Sequence, residues 1–144
     1  DQPKATVYID PTIDRAFVRA YQEAVKAWNQ TGAFTFQFVK TEEEADVILT
    51  QMDDATVSAA GEAESQTNVL TNRFQKVTVR LNRHYLLSWK YGYSKQRIVN
   101  TAEHELGHAI GLDHNEEESV MQSAGSFYSI QEMDIQAVRQ LYKE

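Results

Sequence analysis

The chain has 144 residues, 42% hydrophobic and 24% charged, which is the usage of one globular domain around a single core and not of a disordered chain. It has no cysteine, which excludes disulfides, thiolate metal sites and a cysteine nucleophile, and it lacks the run of about eighteen apolar residues that a membrane-spanning helix needs. A net charge of −7 argues against a nucleic-acid partner, because general phosphate binding requires a basic surface.

The chain opens at Asp1 and not at Met, so we expect a processed or excised product, with any signal or pro-segment outside it. Ala5–Ile9 reads as a strand. Asp10 is expected to cap a helix with Pro11 at its first position, where a missing N–H costs nothing. Ile13, Phe17, Tyr21, Ala24 and Trp28 recur at helical spacing and predict its buried stripe, with Gly32 beyond its end. Phe34, Phe36 and Phe38 alternate with polar residues at the period of a half-buried strand. Val47–Leu49 is a short apolar strand, and two more are predicted within Val57–Ser65 and Val77–Leu81. A second helix should run from after Ser94 to Gly111. Ser129–Glu132 reads as the capping box of a last helix whose core face is Ile130, Met133, Ala137, Val138 and Leu141. The order strand, helix, four strands, helix, irregular segment, helix predicts an α+β domain, or α/β on a mixed sheet.

Charge is segregated along the chain. Glu42 to Glu64 carries eight acids and no Lys or Arg, whereas Ser65 to Ala102 carries seven basic residues and no acid. Two solvated faces that attract across the fold are expected, with a basic patch for an anionic partner as the sharper alternative.

The informative stretch is His104-Glu105-Leu106-Gly107-His108-Ala109-Ile110-Gly111-Leu112-Asp113-His114, which holds three of the chain's four histidines. On a helix, residues four apart lie about 40° from alignment and roughly 6 Å apart along the axis, so two imidazoles so placed can converge on one ion. Glu105 lies about 100° around from His104 and can address a water beside the ion without ligating it. Gly111 can leave the helix through a left-handed conformation and bring His114 back as a third ligand. Three neutral nitrogens with one open position describe a catalytic zinc site, since structural sites are normally closed by four protein ligands.

This extended motif resembles the zinc signature of the metzincin metalloproteases, and most closely that of the matrixins. Ser119-Val120-Met121-Gln122 resembles their Met-turn, and the likeness extends to the Trp28-ending helix, Ala45–Ile48 and the closing Asp134-Ile135 and Leu141-Tyr142. The resemblance implies a mostly parallel twisted sheet with three helices. It implies one catalytic zinc on His104, His108 and His114, Glu105 as general base and Met121 as a hydrophobic floor. It also implies a cleft between a larger unit, residues 1–111, and a smaller one, residues 112–144, of a single catalytic domain. Secretion, an extended peptide or protein substrate and an edge strand within Val57–Ser65 to hold it follow from the same likeness, and we expect a monomer. The segment after Met121 would wall the pocket for the side chain that follows the scissile bond. Its small residues and then Phe127 and Tyr128, with no Lys or Arg from Asp113 to Gln131, predict apolar and not acidic side chains there. Gln51 to Phe74 contains no histidine and no calcium-loop pattern, so calcium is not expected.

His84 reads as a surface or hydrogen-bonded histidine, Asp113 as a surface carboxylate or one supporting a ligand, and Glu103 as a solvated helix residue. Gly107 predicts close approach of a neighbouring element. Leu86, Leu87, Trp89, Tyr91 and Tyr93 are expected to pack over the second helix's start, and Asn29-Gln30-Thr31 fits a glycosylation acceptor only weakly. The function these residues predict is a minimal zinc endopeptidase. The alternative is a zinc-binding recognition module without turnover, against which the intact Glu105 speaks.

Overall fold

A computed structural model describes residues 3–67 and 75–143 of the chain. Five strands form one sheet in the order β2-β1-β3-β5-β4: β1 (Lys4–Ile9), β2 (Thr35–Phe38), β3 (Val47–Met52), β4 (Gly61–Thr67) and β5 (Gln75–Asn82). β1 pairs in parallel with β2 and β3, β3 in parallel with β5, and only β4 runs antiparallel. The register sets Val7 beside Val47 and Val47 beside Val77, then Leu49 beside Val79. One apolar row thus crosses the sheet and is buried beneath the helices.

Two sixteen-residue helices, α1 (Arg15–Gln30) and α3 (Lys95–Ile110), lie against the sheet. The α1 stripe is as the spacing predicts: Phe17, Tyr21, Ala24 and Trp28 are fully buried, and the Trp28 indole N–H donates to the Glu103 carbonyl of α3 at 3.0 Å. The helix start is not as predicted. The Asp10 carboxylate accepts from Thr12 N at 2.9 Å and from Thr50 Oγ1 at 2.8 Å, making a side-chain turn that competes with helix capping. Helix α1 therefore begins four residues later behind Asp14, whose carboxylate pairs with Arg83 at 2.6 Å.

The single-turn helix α2 (Arg83–Leu86) was not expected. The last helix, α4 (Glu132–Leu141), is capped by Gln131 with Asp134, not by Ser129 with Glu132. Its inward face is Asp134 and Val138 with Ile135 beside them, while Met133 and Leu141 are exposed. The shift follows from Asp134, a carboxylate that can be buried because it accepts from Val120 N and Gln131 N, each at 2.9 Å, and from the Ser119 hydroxyl.

The segregated charges meet as expected. Arg80 pairs with Glu62 at 2.7 Å and with Glu64 at 3.0 Å, and Arg83 reaches Asp53 as well as Asp14. Arg73 lies outside the described residues. Asn29 gives and takes hydrogen bonds with the Phe36 backbone, at 3.0 and 2.7 Å, so both ends of its amide tie α1 to β2 and the glycosylation reading does not fit. No helix of the described residues is long and apolar enough to cross a membrane.

Candidate metal centre and active site

Ser94 opens α3 by accepting from Arg97 N at 3.1 Å, and Gly111, at φ +123°, closes it with its N–H on the Gly107 and His108 carbonyls. Leu112 N then reaches back to the Gly107 carbonyl at 2.9 Å, which turns the chain out of the helix. Asn115 N donates to Met121 O and Ser123 N to Asn115 O, both at 3.0 Å, so the segment after the helix folds back and holds His114 toward α3.

The result brings His104, His108 and His114 together, with one ring nitrogen of each within 4.8 Å of the others. His104 Nδ1 donates to the Val120 carbonyl at 2.7 Å and His108 Nδ1 to the Leu112 carbonyl at 2.9 Å. Those bonds fix the tautomers and leave each Nε2 as a lone pair for the shared centre. Burial lowers the His104 pKa to about 4 and that of His108 in the same direction, which keeps both rings neutral. Two neutral rings held by backbone carbonyls, with His114 Nε2 3.1 Å from His104 Nε2, fit the donor chemistry of zinc.

Glu105 is buried on the adjoining face of α3, beneath the edge strand. A methyl group on Gly61 would stand 3.0 Å from Glu105 Oε2, so a side chain there would press on the Glu105 carboxylate. Burial, then the charge of Glu62, raises the Glu105 carboxyl to about 8, and a cation beside it acts in the opposite direction. Met121 is buried against Gly107, where an added Cβ would collide with its sulfur, so the close approach that Gly107 predicts is real. Gly107→Ala should therefore cost about 1–3 kcal/mol by overpacking and lower the melting temperature by several degrees in a thermal scan, despite the better helix propensity of alanine.

An open cleft of about 980 Å³ contains all three histidines and Glu105 and is lined on one side by Ser58–Ala63 and on the other by Ser123–Gly125. Val57 to Ala60, included in the strand region expected to bind peptide, precede β4, and the strand itself forms the sheet edge. Asp113 is exposed at the cleft, as one reading of it had expected. His84 stands apart, in an aromatic cluster with Tyr85 and Tyr91. Leu86 is buried and Leu87 and Tyr93 pack on the core as expected, but Trp89 is 93% exposed. Glu103 is a second correction: it is buried, accepts from Ile130 N at 3.0 Å, and is raised by burial to about 7. Its neighbours are Trp28 and Ile130, both far along the chain, and no local signal distinguishes it from a solvated helix residue.

Phe127 and Tyr128, assigned from sequence to the pocket wall, are not among the cleft-lining residues. Arg97 comes to that segment instead, with Nη2 2.9 Å from Ser126 Oγ. The spacing of Arg97, Thr101, His104 and His108 puts all four on one face of α3, a signal the sequence reading left unused.

A helix under a mostly parallel sheet, carrying imidazoles that converge with a third from the following turn, defines a mixed α/β domain able to hold a metal ion. The matrixin family profile matches residues 6–143, and the chain belongs to that family. Matrixins are zinc metalloproteases that act on peptides and are typically extracellular. No curated protein matches the chain.

Proposed function

We propose that this domain is a zinc endopeptidase in which His104, His108 and His114 hold a single catalytic ion and Glu105 is the general base. The observation that carries the reading is the convergence of three ring nitrogens within 4.8 Å beside a buried carboxylate in an open cleft. Zinc, when bound there, supplies Lewis acidity that lowers the pKa of an adjacent water toward about 7 and polarises a carbonyl. The Glu105 carboxylate takes a proton from the attacking water and returns it to the nitrogen of the leaving amine. Burial raises its pKa and so makes it a stronger base than an exposed carboxylate. The backbone carbonyls of Val120 and Leu112 hold the His104 and His108 rings in the tautomer that presents Nε2.

An extended substrate adds as a strand to the free edge of β4, across the cleft from Ser123–Gly125, so residues 1–111 and 112–144 supply the two walls. The recognition-module alternative leaves Glu105 without a role, since desolvating a carboxylate beside an ion site gains nothing for binding alone. Digestion of casein with and without a chelator separates the readings: cleavage that stops on chelation supports the enzyme, and intact casein at full zinc loading contradicts it. We place the enzyme outside the cell on the habit of its family.

Among the described residues, the three histidines are the only group of three or more His, Asp or Glu placed to hold an ion. Millimolar calcium at fixed zinc should accordingly leave the melting temperature unchanged. A sharp rise in a thermal scan would show that an oxygen-rich site exists.

A further inference from the structure

The 93% exposed Trp89 opens a single 3₁₀ turn, Trp89–Tyr91, between α2 and α3. One exposed aromatic residue needs no explanation on its own. This one is held out by a braced element. Ser88 Oγ accepts from Lys90 N at 3.3 Å, Ser88 O accepts from Tyr91 N at 3.2 Å, and Gly92, at φ +67°, turns the chain away. The Tyr91 ring stands edge-on to Tyr85 at 5.1 Å, and the Tyr85 hydroxyl donates to the Val57 carbonyl at 2.8 Å. Val57 precedes Ser58, a lining residue of the cleft, and Tyr93, two residues after Tyr91, lines it too. Four residues span at most about 14 Å, so the Trp89 backbone lies within that distance of the Tyr93 end of the cleft.

The charge around this turn is not neutralised as it is elsewhere. In the basic run from Ser65 to Ala102, Arg80 and Arg83 pair with acids, and Lys76 donates to the Glu42 carbonyl. Lys90, Lys95 and Arg97 have no carboxylate partner among the described residues. Lys90 Nζ stands 5.8 Å from the Tyr91 centroid, and the Arg97 guanidinium carbon 4.3 Å from that of Tyr93. The cleft lining has the opposite sign: no Lys or Arg, with Glu62, Glu105 and Asp113. A surface of exposed aromatic rings and unpaired cations thus continues from the Tyr93 end of the cleft. Trp, Tyr and Arg are the residues that most often carry binding energy in protein contacts. A net charge of −7 opposes docking on an anionic membrane, whereas a peptide leaving the cleft meets only the nearby cations.

We propose that Trp89, Lys90 and Tyr91 form a docking face outside the cleft for protein substrates. It holds the segment that leaves the cleft at Tyr93 and carries, about four residues on, an apolar side chain beside acidic ones. The apolar side chain packs on the Trp89 indole and the acids face Lys90 and Lys95. This rests on the peptidase reading and names a substrate class for it: proteins with an acidic, apolar-bearing segment flanking the cleavage site. The anionic partner that the basic run suggests is then the substrate itself.

The chain has two tryptophans, and Trp28 is fully buried, so a shift of indole emission to shorter wavelength reports cover over Trp89 without requiring turnover. The test compares a cleavable core peptide with the same core extended, at one end or the other, by a short segment of Leu and Glu or of Leu and Lys. One of the two Glu extensions should shift the emission and lower KM about tenfold, with kcat unchanged. Trp89→Ala should remove that gain in KM and leave the core peptide's kcat and KM as they are, since truncating so exposed a side chain costs no packing. Lys90→Glu should weaken the gain from the Glu extension and not from the Lys extension. No emission shift with either Glu extension, an equal gain from Lys and Glu extensions, or equal losses on core and extended peptides in Trp89→Ala would overturn the docking face and leave the peptidase reading standing. Emission that shifts with anionic vesicles or with protein concentration, and not with the extended peptides, would give the face to a lipid surface or to a second copy and overturn the proposal as well. Emission that shifts with an extended peptide while no peptide is cut would overturn the peptidase reading instead.

Discussion

Glu105→Ala should lower kcat by roughly a thousandfold and leave the zinc content at one per chain, because a positioned general base contributes about 10²–10⁴ in rate. The carboxylate lies under Gly61, on the face of α3 next to the one that carries His104 and His108. The group of converging ligand nitrogens consists of the three histidines without it. Removing the carboxylate thus takes away the proton acceptor and leaves the Nε2 donors, their carbonyl partners at Val120 and Leu112, and the packing of α3 in place. The fold should tolerate the change, since a buried carboxyl raised to about 8 is held there against its own desolvation. Metal analysis beside a kinetic assay checks both halves. An empty site in Glu105→Ala would make Glu105 a ligand and refute its assignment as base.

The second large effect falls on the ion. His108→Ala should lose zinc and activity together, because two imidazoles and water form a weaker site than three imidazoles. Asp113 is exposed and stands outside the converging group. The loss should also lower the melting temperature measured at saturating zinc toward that of the chelated wild type, as binding free energy to the folded state disappears. Zinc retained near one per chain in His108→Ala would contradict the ligand set. Equal metal loss in the Glu105 and His108 variants would fail to separate the roles and would count against the mechanism.

The site was legible in the sequence where its geometry is local. Three histidines on one helix and its exit, a glycine with positive φ between them, and a glutamate one residue from the first are fixed by helical periodicity, and all lie within Glu103–His114. What was not legible depends on partners far along the chain. Asp10 caps nothing because Thr50, forty residues on, competes for its carboxylate. Glu103 is buried because Ile130 needs an acceptor, and Asp134 faces inward because Ser119, Val120 and Gln131 all donate to it. Burial of such carboxyls is decided by donors on other elements, which periodicity of apolar residues does not report. The same limit hid the contact of Arg97 with Ser126, which lies 29 residues further on. The strands fared better, because β3 opens on a short apolar run and β2 and β5 alternate apolar with polar residues, and even β4 was placed to within a few residues.

Titration of zinc into chelator-stripped protein, with peptide hydrolysis followed at each addition, tests the central claim most directly. Activity should be absent at zero zinc, rise in proportion to added metal and level off at one equivalent per chain. Hydrolysis that persists in the stripped protein, or that stays absent beyond one bound equivalent, would show that the three histidines and Glu105 do not form the catalytic centre assigned to them.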